Sequence, residues 1–448
     1  MAVNHLIKGE PDWHLKMNEN MDSLQEDINQ AKDDASFAAT TKVDKPINPT
    51  MVEGYLYQNP DGTTRLADGG SESGKFKYTI IVDNGADGNP AKVEYYDDCS
   101  GFIEAFGSNL GDWANTPLIK EYFRPCVIAP ADGVPKYYLR QNNMTLKEDG
   151  TPAVLTGADG DVMIEVKKLY GKVVKVGSRA KLSLMNYKED DDCFCFNDIG
   201  GTEKSVVYRG ACKAGVASGA ATIMRSISGV EPLVNITRAT GRTYATARGI
   251  GYHQNNIFML FLWQFMYLLL YKNRDSQTVL GQGRTLSSNT AASNTGLLMD
   301  KPFCWGDQGG VNGVKFLGVE DFYGNVWEWV DGVVLDNQVF KLTKDPSKYN
   351  DTGAGYEISA ASGMTEAANY NEYVTQLQMT NNLMFLPANS GGADSIFWCD
   401  NMYIADAVQA AIFGGAWNHA AQAGAFYWAL NYLAVNAYST VGSRLCRA

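Results

Sequence analysis

Met17, Met21, Leu24, Ile28, Ala31 and Ala35 recur in alternating steps of four and three, with Glu, Asp, Asn and Lys between them. This spacing predicts an apolar seam along a helix in an N-terminal arm, residues 1–45. The seam suits one amphipathic helix on its own domain or a short parallel coiled coil. Pro46 and Pro49 end the helical pattern. Residues 46–95 then alternate apolar and polar, as in Tyr55-Leu-Tyr57 and Phe76-Lys-Tyr78-Thr-Ile80-Ile-Val82. Turns such as Asn59-Pro-Asp-Gly62 separate the alternating runs, which predicts a small β region with hairpins. From residue 96 the segments lengthen. Val162–Val166, Leu169–Val174 and Ser205–Tyr208 predict strands, and Asn235-Ile-Thr237 offers a helix cap. Ile257–Tyr271 is apolar on every side. Residues 276–313 predict a long Gly/Ser/Asn loop, and residues 341–395 read as polar with long turns.

The Ile257–Tyr271 run decides a membrane question. Its fifteen residues would rise about 22 Å as a helix, short of the roughly 30 Å hydrocarbon core. Gln264 interrupts it, and Lys272 and Arg274 follow directly, so it predicts a helix buried in a large core. No membrane insertion is expected, and the first residues lack the pattern of a signal peptide.

Composition narrows the function classes. The net charge of −12 and the lack of a basic stripe argue against a nucleic-acid partner. Eight cysteines in 448 residues do not make a disulfide scaffold. Cys193-Phe-Cys195 lacks the two-residue spacer of a zinc knuckle, and four histidines leave little to complete a metal site. The 45 glycines and 24 tyrosines point to many turns and to aromatic surface.

Two stretches carry local logic. In Gly324-Asn325-Val326-Trp327-Glu328-Trp329, Gly and Asn accept positive φ and so predict a tight turn. Glu328 between two tryptophans must hold a backbone N–H, an arginine or a cation, because an unpaired buried carboxylate is costly. No histidine accompanies it, so it reads as a structural anchor. The second stretch is Phe413–Ala448. Gly414, Gly415, Trp417, Gly424, Phe426, Trp428, Leu430, Gly442 and Arg444 form a frame. The residues between them follow neither helical nor strand periodicity. A fixed frame with arbitrary filling suggests a display surface.

The Gly324–Trp329 motif resembles the signature of the formylglycine-generating-enzyme version of the C-type lectin fold. The resemblance implies an α+β fold over residues 96–448. Gly442-Ser-Arg444 stands where that family ends in Gly-Phe-Arg. Its oxidising members need a C-terminal cysteine pair for copper, and here only Cys399 and Cys446 lie in that region, neither in the matching context. The ending resembles more closely the variable region of proteins diversified by diversity-generating retroelements, a group that includes phage tail-fibre tip proteins. Gly160–Glu165 and Ser276–Gly283 also look like segments of this group. Gly9-Glu-Pro-Asp-Trp13 resembles the start of phage tail proteins.

The resemblance implies that Asn codons mutated at adenines yield variable positions within residues 413–448. On this pattern the ligand-binding residues are Ala416, Asn418, His419, Ala421, Ala425, Tyr427, Ala429, Asn431, Tyr432, Leu433, Ala434, Asn436 and Tyr438. Gln422 cannot be reached from an Asn codon. Trp417, Phe426, Trp428 and Leu430 are expected to point inward and the variable side chains outward. Asp321, Gly324, Val326 and Glu328 match a calcium site of the formylglycine-generating relatives, so a structural calcium is an expectation, with no cofactor required. The implied function is receptor binding without turnover, on a phage tail assembled in the bacterial cytoplasm. The implied partners are a host-cell surface protein or glycan, other tail proteins and two further copies in a homotrimer. The alternatives are a formylglycine-generating-type oxidase and a fixed-specificity tail protein or adhesin.

Overall fold

The computed structural model describes residues 56–58, 64–66, 74–129, 133–364 and 370–448. The seam from Met17 to Ala35 and the Gly9–Trp13 segment lie outside the described residues. Contacts divide the chain between Gly70 and Ser71. In the first unit, Leu56–Gln58 pairs antiparallel with Thr64–Leu66.

The second unit is predominantly β. Its larger sheets have five, seven and nine strands. Three α-helices occur among the described residues: α1 (Arg238–Thr246), α2 (Ile257–Tyr271) and α3 (Ser276–Val279). The expected α+β balance therefore shifts toward β, because glycine and Asn/Asp turns break the chain before helical runs can lengthen.

The expected boundary at residue 95 also moves. Lys77–Asp83 pairs along its whole length with Arg179–Met185 and also borders Val93–Asp97. Residues 77–97 are thus part of the sheet built by residues 170–185. The stretch read as polar with long turns, 341–395, also holds the long hairpin Tyr370–Thr380 and Leu383–Ser390, whose register shifts repeatedly. Those shifts break the strict alternation by which a strand is recognised.

Helix α2 forms where the apolar run predicts it. Asn256 caps it, its side-chain oxygen accepting from Phe258 N at 3.0 Å and Met259 N at 2.9 Å. Lys272 ends it in the left-handed region, with φ 52°. All its residues except Phe258 are buried. Each large apolar side chain buried there contributes about 1.5–3 kcal/mol. No helix among the described residues is long and apolar enough to cross a membrane. Thr237 caps α1 by accepting from Thr240 N at 3.1 Å.

The last strands tie the termini of the core together. Trp327–Asp336 pairs with Val408–Phe413, which pairs with Trp428–Tyr432. Val441–Gly442 runs parallel to the start of Trp327–Asp336. Leu445–Arg447 closes the seven-stranded sheet between Val206–Gly210 and Tyr252–Gln254.

Candidate ligand-binding surface

The turn beneath the C-terminal segment forms as its chemistry predicts. Gly324 and Asn325 both have positive φ, 78° and 64°. A Cβ on Gly324 would stand 2.9 Å from the Arg284 carbonyl oxygen, so only glycine fits. Asn325 joins three segments. Its side chain donates to Asp321 Oδ2 at 2.7 Å and accepts from Ser293 N at 2.8 Å. Its carbonyl accepts from Trp417 N at 2.9 Å.

Glu328 lies at the base of the segment, opposite Phe413 on one side and Gly442 on the other. It is fully buried and surrounded by cations of its own chain. Oε1 accepts from Lys213 Nζ at 2.9 Å and Arg444 Nε at 2.8 Å. Oε2 accepts from Asn255 Nδ2 at 2.7 Å and Arg209 at 3.4 Å. Burial alone would raise this carboxyl, but Arg444, Lys213 and Arg209 outweigh it and hold it at about 2. Burial lowers the Lys213 ammonium to about 8. Arg444 also donates to the carbonyls of Gly210, Ala211, Glu320 and Asp321.

These residues do not fit the expected calcium. Both Glu328 oxygens are occupied by donors, and Asp321 is engaged by Asn325. A divalent cation between Asp321, Gly324, Val326 and Glu328 would stand beside Arg444 and Lys213, and like charges repel strongly where water is excluded. Among the described residues no cluster of three or more His, Cys, Asp and Glu side chains could hold a metal.

Above this base, the 414–427 loop is suspended by its backbone. Gln264 Nε2 donates to Ala425 O at 2.9 Å, and Ala425 N donates to Ser276 Oγ at 2.9 Å. Gln277 Nε2 donates to the carbonyls of Ala420 and Ala423, at 2.8 and 2.5 Å. Asn289 Nδ2 reaches Trp417 O at 2.9 Å, and Phe426 N reaches Asp400 Oδ2 at 2.7 Å. Asp400 explains Gly424 in the frame, since a Cβ there would lie 2.0 Å from its Oδ1. The scaffold thus grips atoms that every residue type has. Within the loop, His419 adds a side-chain bond of its own: its Nδ1 accepts from Ala416 N at 2.9 Å. Burial lowers its imidazole to about 4, so the ring is the neutral acceptor that this bond needs.

The proposed variable residues fall into two groups. Asn418, Leu433 and Tyr438 are exposed, and His419, Ala421, Asn431, Tyr432, Ala434 and Asn436 are half-buried. Ala416, Ala425, Tyr427 and Ala429 are fully buried, against the expectation that they face outward. For Ala429 the cause is the strand period of two. Trp428 and Leu430 turn one way into the main core. Ala429 turns the other way, and that face is covered too. There Ala416, Tyr427 and Ala429 pack with Trp327, Trp329, Ile412 and Val441 in a second cluster. The Tyr427 ring lies 4.5 Å from that of Trp327. Trp417, expected in the core, is only half-buried and packs at the margin of this cluster.

No protein-family model matches this sequence, and no curated protein matches it. Two solved structures align loosely over most of the chain. The Major Tropism Determinant U1 Variant is 11% identical, with 89% of this chain and 95% of that chain covered and a TM-score of 0.28. The Major Tropism Determinant P3c Variant is 11% identical over the same shares, with a TM-score of 0.26. Superpositions this loose carry neither fold nor function.

The residues that sequence reasoning missed are the supports: Gln264, Ser276, Gln277, Asn289 and Asp400. One signal could have found Gln264. It is the only amide in an otherwise apolar buried helix, and a buried amide needs a partner.

Proposed function

We propose that this chain is a receptor-binding protein of a phage tail, displaying the outward side chains of residues 413–448 on a C-type lectin scaffold. The observation that carries the reading is the backbone suspension of the 414–427 loop by side chains from outside it. Such support leaves outward side chains free to change without altering the loop, which suits a surface whose identity varies. Binding proceeds without turnover. Diversification by a retroelement and assembly as a homotrimer belong to this proposal, and a trimer would add avidity to weak single sites.

The oxidase alternative is disfavoured by the cysteines. All eight are buried and free. Burial raises the Cys399 thiol and pushes that of Cys446 to about 12, so neither offers a thiolate near neutral pH. The fixed-specificity alternative draws support from Tyr427, whose packing against Trp327 restricts one of the expected variable positions.

The test is the DNA beside the gene. A reverse-transcriptase gene and a near-copy of the codons for residues 413–448, differing only at adenines, are expected. Their absence would refute diversification and leave a fixed-specificity binder.

A further inference from the structure

From Ala407 to Ser443 the chain contains no Asp, Glu, Lys or Arg, although the whole protein holds 50 acidic and 38 basic residues. The single histidine, His419, is neutral above about pH 4. The surface built by this stretch is therefore uncharged. Its most prominent part is the turn from Leu433 to Tyr438. Leu433 is 49% exposed, Val435 73% and Tyr438 46%.

That turn is rigidly presented. Asn436 closes it: its Oδ1 accepts from Leu433 N at 2.8 Å, and its own N–H donates to Leu433 O at 2.9 Å. Main-chain bonds dock it to the scaffold, from Arg238 N to Ala434 O at 3.1 Å and from Asn235 N to Tyr438 O at 3.0 Å. The Tyr438 ring meets Tyr432 edge-on at 5.6 Å, and Tyr432 meets Trp329 at 6.4 Å. Exposed aliphatic groups held on an ordered turn lose little conformational entropy on binding.

Resting on the receptor-binding reading, we propose that the Leu433–Tyr438 turn is the anchor of the surface and that its partner is an uncharged, apolar patch on a host-cell surface protein. Acidic saccharides are disfavoured, because the stretch holds no lysine or arginine to form an ion pair with a carboxylate or phosphate. A neutral glycan would call for a concave site rich in hydrogen-bonding groups. Leu433 and Val435 instead offer branched aliphatic surface on a turn, which suits insertion into an apolar depression of a protein.

The test uses the full chain and susceptible host cells, either untreated, stripped with protease or oxidised with periodate. Binding is expected to survive periodate and to be lost after protease. Between about 50 and 500 mM NaCl it should change less than about twofold, because no ion pair is available to screen. The double variant L433D/V435D should bind at least about tenfold more weakly, since it places charge in an apolar contact. Its unfolding midpoint and its mass in solution should not change. Loss of binding to periodate alone would overturn the proposal and identify a glycan, and strong salt dependence would overturn it by showing a charged partner. A changed mass for L433D/V435D would overturn it by making the turn a contact between copies. If the unmodified chain binds no untreated cell, the receptor-binding reading itself fails.

Discussion

Replacing Glu328 by glutamine tests the base of the display surface most directly. Glutamine keeps the shape but removes the only charge opposing Arg444, Lys213 and Arg209 within hydrogen-bond reach of Glu328. The magnitude follows from the structure. The folded carboxyl lies at about 2 against an ordinary 4.5, a difference worth about 3 kcal/mol. The cost of stripping one partner from a buried ionic network is about 3–5 kcal/mol, in agreement. Urea unfolding at pH 7, followed by tryptophan fluorescence, should show a loss of that size for E328Q. The pH dependence has a definite sign. Because the folded value is depressed, the carboxylate's contribution is complete above about pH 4.5 and disappears as pH falls toward 2. Wild type should therefore lose stability over that window, while E328Q, already lacking the charge, should lose less. Adding K213M to E328Q should recover part of the loss by removing one of the stranded cations. A loss under about 1 kcal/mol for E328Q, with an acid limb like that of wild type, would refute the network as the base of the fold.

Four further outcomes are expected. Q277A removes both amide bonds to the loop and should cost about 1–3 kcal/mol, with faster hydrogen exchange confined to residues 416–426. Ala420 sits in the left-handed region with φ 48°, so A420G should stabilise the chain by up to about 1 kcal/mol in thermal unfolding. Y427N should destabilise by about 2–4 kcal/mol, whereas Y438N should change stability by less than about 0.5 kcal/mol, both read by urea midpoint. The lowered His419 value means that its contribution is full above about pH 6.5 and is lost as pH falls to about 4. Wild type should lose up to about 3 kcal/mol over that window relative to H419Q.

Much of the scaffold is readable from local chemistry. The Gly324-Asn325 turn and the α2 boundaries follow from residues that act on their immediate neighbours. So does the Glu328 anchor, because a carboxylate between tryptophans demands a partner wherever it lies. The identity of that partner was not readable: Arg209 and Lys213 come from one distant segment and Arg444 from another. The same limit hid the display geometry. Period two says that Ala429 and Trp428 face opposite ways, but not that both faces are covered, since the second cover comes from Trp327, Trp329 and Ile412. Residues 77–97 were separated from the larger unit because their partner strand, Arg179–Met185, lies about a hundred positions onward.

The second cluster under Trp428–Tyr432 limits what a mutating template could deliver. Two of its three fully buried expected variable positions, Ala416 and Ala429, are alanine, the smallest side chain with a Cβ, and the third is Tyr427, packed on Trp327; Ala425 is buried in the main core. Random codons there would mostly yield chains that fail to fold, so folding would filter the repertoire before any receptor does. In a population of such genes, amino-acid usage should be narrow at positions 416, 425, 427 and 429 and broad at 418, 433 and 438. The working diversity of the surface would then be set by the back of the sheet as much as by the codons at its front.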